Sequence, residues 1–124
     1  MLELEWIGTP MSVCRAADFS GVDWNAEYVF TARTRDEYSL VCPTDCVPKN
    51  MEKREDGWRM FRVCGSLEFS LVGILAGISN ALARAGIPLF VISTFDTDYV
   101  LVREEYHDRA NAALAEAGYC WKER

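Results

Sequence analysis

The stretch Phe69–Val102, FSLVGILAGISNALARAGIPLFVISTFDTDYVLV, carries a helix, a strand, a polar turn and a second strand in direct succession. Leu71, Ile74, Leu75, Ile78 and Leu82 recur at the i, i+3, i+4 spacing of one helical face, which predicts a helix over 70–85. Gly86 then ends it as a left-handed cap, with Pro88 just beyond. Residues 87–93 and 99–102 have the composition of buried strands. Between them stand Ser93, Thr94, Phe95, Asp96, Thr97 and Asp98, which place hydroxyls and two carboxylates where a simple Asn-Gly would turn the chain.

The same pattern extends in both directions. Upstream, residues 58–64 read as a strand. Downstream, residues 104–117 read as a second helix: Glu104 and Glu105 suit the positive end of its dipole, Tyr106, Ala110, Ala113, Leu114 and Ala117 form its apolar stripe, and Gly118 ends it. Residues 119–121 make a last strand. The order is β-α-β-β-α-β, so the fold class is α+β with a ferredoxin-like second half. The first half is richer in strands. Leu2 to Ile7 alternate with period two, Gly8-Thr9-Pro10 follow, and Met11 to Ala16 resume, a pattern that reads as a hairpin. Residues 17–27 are a loop, or a short helix near 22–27. Strands over 28–34 and 37–42 flank a tight turn at Arg35-Asp36. Residues 43–57 are polar and charged, a solvated connection that marks the boundary between halves 1–57 and 58–124. A faint internal echo lays YVFTARTRDEYSLV on LFVISTFDTDYVLV, matching Tyr38 with Tyr99, Leu40 with Leu101 and Val41 with Val102.

Composition narrows the functional classes. The 124 residues carry 13 Lys and Arg against 19 Asp and Glu, a net charge of -6. A polyphosphate partner demands a basic face, so nucleic acid is not expected. The apolar runs are broken well before the roughly 20 residues of a membrane span. No basic segment followed by an apolar one opens the chain, so no secretion signal is expected and the expected compartment is the cytoplasm. Cys14, Cys42, Cys46, Cys64 and Cys120 are scattered, and the single His107 lies far from the one close pair. The spacing predicts reduced thiols packed as small hydrophobes, with no metal site or cofactor.

The topology brings two polar segments to one rim. In a βαββαβ unit the loop from first strand to first helix, residues 65–70, lies at the same end as the turn from Thr94 to Asp98. A helix starting at Ser70 offers backbone N–H groups at Leu71, Val72 and Gly73 to a carboxylate, and Gly73 leaves room for a close approach. Asp96 and Asp98, with the hydroxyls of Ser93, Thr94 and Thr97, offer the complement for a cation. A free amino acid carries both groups. A purely local reading stands beside this one: Asp and Thr are common turn residues, Ser70 serves as an N-cap, and Gly73 allows close packing. His107 reads as a surface residue on the second helix. Asp96 with His107 is the one acid–base pair available to an enzyme, and the two fall at opposite ends of the unit. Arg33, Arg35, Asp36 and Glu37 read as a solvated hairpin tip or a face toward a partner chain. Trp6, Trp24, Trp58 and Trp121 read as core or interface anchors.

The segment Phe69–Val102 closely resembles the ACT-domain family, in particular small bacterial proteins with a degenerate and a complete ACT-like half. ISTFDTDYVLV with FSLVGIL upstream is also similar to the ligand-binding ACT repeat of cytosolic arginine sensors. The resemblance covers residues 58–121 and extends more weakly, through SLVCP, into the first half. It implies a regulatory module that binds a small amino acid or related effector without catalysis. The implied contacts are Ser70, Leu71, Val72 and Gly73 on one side and Thr94, Phe95, Asp96, Thr97 and Asp98 on the other. In the arginine sensors an Asp at the position of Asp98 meets the ligand's cationic group. Exposed aromatics and sheet edges in so small a unit imply a homodimer. Two other classes remain: an interaction protein with a ligand-free ACT-like fold, and a small enzyme on a ferredoxin-like scaffold.

Overall fold

The computed structural model describes residues 2–64 and 73–122. Its strands are β1 (Glu3–Ala16), β2 (Phe30–Arg33), β3 (Tyr38–Pro43), β4 (Met51–Cys64), β5 (Phe90–Ser93), β6 (Asp98–Arg103) and β7 (Cys120–Trp121). The helices are α1 (Ile74–Arg84) and α2 (His107–Glu116), and short 3₁₀ turns cover Thr44–Cys46 and Glu104–Tyr106. The chain divides into two compact units, one of Met1–Gly8 with Arg59–Arg124 and one of Thr9–Trp58.

The first unit holds the βαββαβ series β4, α1, β5, β6, α2, β7, so the second half is ferredoxin-like as its periodicity predicts. Its strand order is β7-β1-β4-β6-β5. The opening of β1 therefore lies between the last and the first strand of the series, and β7 pairs with it in parallel through Glu3↔Cys120 and Leu4↔Trp121. The core of this unit includes Leu4, Phe61, Ile78, Leu82, Val100 and Leu114, each with no exposed surface. Ile74 and Leu75 pack against it from the start of α1, on the predicted face.

Both helices end as the glycines foretell. Gly86 adopts φ 73 and Gly118 φ 101. After α1, Ile87 N–H donates to Leu82 O at 2.9 Å and Gly86 N–H to Ala83 O at 3.0 Å; after α2, Tyr119 N–H donates to Leu114 O at 3.0 Å and Gly118 N–H to Ala115 O at 3.1 Å. These paired bonds satisfy the last carbonyls of each helix and turn the chain toward the next strand. Arg109 on α2 adds a guanidinium bond to Ala85 O, placing a cation at the negative end of α1.

Several elements differ from the sequence reading. No hairpin interrupts residues 2–16, because β1 runs unbroken. A tight hairpin connection at Gly8-Thr9-Pro10 needs a residue in left-handed backbone, and none of the three adopts positive φ. Residues 51–57 are strand and not a solvated connection. Residues 52–57 are exposed, so no apolar alternation announces them, and their side chains pair across to β1 through Arg15–Glu52 and Ser12–Asp56 instead. The helix expected from Ser70 begins at Ile74, since Gly73 at φ 90 is its N-cap and cannot itself be helical. Ser70, Leu71 and Val72 lie outside the described residues.

In the second unit β1 pairs antiparallel with β3, from Met11↔Pro43 to Ala16↔Tyr38, and β3 with β2. Cys14, Leu40 and Cys42 form its small core. Burial pushes the Cys42 thiol up to about 12 and the Cys14 and Cys64 thiols up as well, so all three stay protonated at neutral pH. They pack as small hydrophobes, whereas Cys120 is exposed.

The internal echo has a structural counterpart one residue off the sequence match. β2 and β5, β3 and β6, and the two 3₁₀ turns lie sixty residues apart, with Phe30↔Val41 in one hairpin answering Phe90↔Leu101 in the other. The matched Tyr38 and Tyr99 are sixty-one apart. Because side chains alternate along a strand, one residue of slip places these tyrosines on opposite faces of their hairpins. The true equivalents at the turn are Thr34 with Thr94 and Asp36 with Asp96.

Candidate functional site

Strands β5 and β6 are joined by a turn in which every hydroxyl has a task. Thr94 N–H donates to Thr97 O at 2.8 Å. The Thr94 hydroxyl donates to the same carbonyl at 3.0 Å and accepts from Thr97 N–H at 3.3 Å. One pair back, the Ser93 hydroxyl donates to Asp98 Oδ1 at 2.6 Å. The Thr97 hydroxyl donates to Val63 O at 2.7 Å, which pins the turn to the end of β4, where the chain leaves toward residue 65. The three hydroxyls thus spend their protons on the turn, and their oxygens keep acceptor lone pairs. The carboxylate of Asp96 makes no hydrogen bond among the described residues, and Phe95 is fully exposed at 101%. The turn therefore presents an aromatic ring and acidic oxygens on a backbone already fixed, an arrangement suited to a cationic group.

Gly73 opens the helix that follows β4. It has left-handed backbone, provides no side-chain cap, and precedes a first turn without an acidic residue. Gly77 N–H donates to Gly73 O at 2.8 Å, the first helical bond among the described residues, and the N–H groups of Ile74, Leu75 and Ala76 lie in the opening turn ahead of it. The expected donors at Leu71 and Val72 lie outside the described residues. A Cβ placed on Gly73 would meet nothing within 4 Å among the described residues, which leave the backbone open to approach. The conformation requires glycine even though the space does not.

His107 is not on a free surface. It packs 4.3 Å from the Trp6 ring, while Trp6 stacks on Trp121 at 4.9 Å and an interplanar angle of 10°. Asn111 receives both indoles, Trp6 Nε1–H on its Oδ1 at 3.0 Å and Trp121 Nε1–H on its backbone oxygen at 3.1 Å. His107 contacts Asp108 at 3.0 Å and serves this aromatic stack, not an acid–base pair with Asp96. Trp58 is buried, and Trp24 is exposed. Arg33, Arg35, Asp36 and Glu37, expected at a solvated hairpin tip or a face toward a partner chain, line a groove of about 470 Å³ in the second unit together with Arg15 and Glu52 among others. The arginines and acids were visible in the chain, but Arg15 and Glu52 reach the groove from strands distant in sequence.

The ACT domain family profile matches residues 53–116, just over half of the chain, and the chain belongs to that family. Over 49 residues it is 47% identical to the human cytosolic arginine sensor for mTORC1 subunit 1, a match covering 39% of this chain. The chain spans 15% of the length of that curated relative. A crystal structure of an Agrobacterium tumefaciens protein superposes with a TM-score of 0.88 at 30% identity, covering 99% of this chain and 94% of that one. The regulatory subunit of aspartate kinase from Thermus thermophilus shares the fold, with a TM-score of 0.66 at 10% identity over 93% of this chain and 96% of its own. Among the described residues no helix is long and apolar enough to cross a membrane.

Proposed function

We propose that the chain is a non-catalytic regulatory module that binds a small amino acid or related effector, as a homodimer in the cytoplasm. Residues 1–57 are its degenerate ACT-like half and residues 58–124 its complete one. The ligand's carboxylate is held by the head of α1, around Gly73 and the segment 70–72 before it, and its cationic group by Asp96 and Asp98 in the turn 94–98. The observation that carries this reading is the left-handed Gly73, with no cap and no atom over its Cβ side among the described residues, at the start of the helix that follows the strand to which Thr97 is pinned. An anion there gains backbone hydrogen bonds and the helix dipole together. Family membership supports the module class, and the similarity to an arginine sensor supports an amino acid as the ligand class.

A thermal-shift panel of the twenty amino acids tests the reading directly. A ligand at 100-fold its Kd raises stability by about 2.7 kcal/mol. Loss of a charge-assisted bond costs ~1.5–3 kcal/mol, so Asp98→Ala weakens a cationic ligand roughly tenfold to a hundredfold by calorimetry. His107→Ala leaves affinity unchanged. A flat panel would favour an interaction protein that has lost its ligand.

A further inference from the structure

The turn Thr34–Glu37 is the repeat counterpart of Thr94–Thr97 and is built the same way. Thr34 N–H donates to Glu37 O at 3.0 Å, and the Thr34 hydroxyl accepts from Glu37 N–H at 3.2 Å. The residues it presents differ. Arg33 stands at the place of Ser93 and Arg35 at the place of Phe95, while Asp36 answers Asp96. This turn also borders a groove of about 470 Å³ that the second unit forms by itself.

The groove is organised by its own bonds. Arg15 donates through Nε to Glu52 at 3.1 Å and through a terminal nitrogen to Asp36 O at 2.8 Å, fastening the turn as Thr97 fastens its counterpart. That pairing neutralises Glu52 and leaves Arg33, Arg35, Asp36 and Glu37 as the remaining charges of the lining. Arg33 lies over the Tyr38 ring at 5.2 Å. The Arg33 guanidinium makes no hydrogen bond or ion pair among the described residues, so its N–H fork is available to receive a carboxylate in two bonds. Arg35 makes no ion pair among the described residues. A simple anion would meet Asp36 and Glu37, and a simple cation would meet the arginines. A small molecule carrying both charges complements the lining.

We propose that this groove is a second ligand site that takes a small zwitterion, with its carboxylate on Arg33 and Arg35 and its ammonium on Asp36 and Glu37. The site is separate from the one at Gly73 and the turn 94–98, and it stands or falls independently of that reading.

Backbone amide shifts of the full chain, titrated with each L-amino acid, with acetate and with methylammonium, test it. The expected result is a saturable shift at Thr34–Tyr38 with at least one amino acid. Arg33→Lys, which keeps the charge and loses the fork, should weaken it, and Arg35→Ala should weaken it about tenfold or more. Asp98→Ala should leave it intact. Both arginines are exposed, and an unchanged amide pattern outside residues 33–38 verifies that each variant is folded. Shifts confined to residues 73–76 and 93–98 overturn the second site while leaving the proposed function in place. Silence at Thr34–Tyr38 throughout overturns it as well. Acetate alone reproducing the full shift and affinity overturns the zwitterion in favour of a plain anion.

Discussion

Gly77 lies within α1, where glycine costs about 1 kcal/mol relative to alanine, and its presence there has a steric reason. A Cβ at this position would fall 2.6 Å from the Tyr119 hydroxyl, which is half-buried over the helix. The same burial raises the phenol above its ordinary range. Gly77→Ala alone should therefore lower Tm, whereas in a Tyr119→Phe background it should raise stability by ~0.5–1 kcal/mol as helix propensity reasserts itself. Equal effects in both backgrounds would discard the steric account. Asp56 offers a second residue-scale test. Arg54 at 2.8 Å, then the Ser12 hydroxyl at 2.6 Å, hold its carboxyl below the usual range. A depressed folded value contributes stability above the unfolded pKa of about 4 that is lost as pH falls through the folded value. Melting scans below about pH 4 should thus show a shallower acid loss for Asp56→Asn than for the parent. At this scale Gly73, Asp96 and Asp98 stood out in the sequence by type alone. The engagement of Ser93, Thr94 and Thr97 did not, because a hydroxyl's partner is a matter of coordinates: Thr97 bonds a carbonyl thirty-four residues away.

The elements whose signals are local were the legible ones. Gly86 and Gly118 sit one residue past their caps because the chain must pass through left-handed backbone to close each helix, and glycine does so without strain. Gly86→Ala and Gly118→Ala should each destabilise by about 1 kcal/mol, additively because the sites share no partner. Chemical denaturation with unchanged m-values would show this, and a neutral result at either position would remove the cap from the account. Long strands were harder to see. Gly8 and Pro10 look like punctuation, yet proline's fixed φ suits extended backbone, and both residues lie exposed within β1. Residues 52–57 form a strand with no buried face in that stretch, so the two-residue period never appears. The repeat was detectable through like side chains and misaligned for the same reason. Register is set by the Thr-capped turn and not by the tyrosines that match.

Strand order is the property of the whole molecule that the sequence concealed, and it bears on what the second half needs in order to fold. Residues 58–124 contain every element of the βαββαβ series, and read alone they suggest a self-sufficient unit. Instead β7 pairs with β1, with Cys120 N–H donating to Leu2 O at 3.1 Å and Lys122 N–H to Leu4 O at 2.7 Å. Leu4 is fully buried in the same core as Phe61 and Leu114, and Trp6 stacks between Trp121 and His107. A parallel pairing between chain segments more than a hundred residues apart leaves no local mark. Its energetic weight is testable. Leu4→Ala removes a buried side chain and leaves a cavity, at a cost of about 2–5 kcal/mol, which is a large part of the stability of a chain this size. A chain beginning at Trp58 loses that side chain, the Trp6 stack and both hydrogen bonds to β7 together. It should therefore lack a cooperative thermal transition and sharp amide dispersion, and adding a synthetic peptide of residues 1–8 should restore part of both. A sharp transition in the shortened chain without the peptide would mean that β7 can close on β4 unaided, and would return the opening strand to a decorative role.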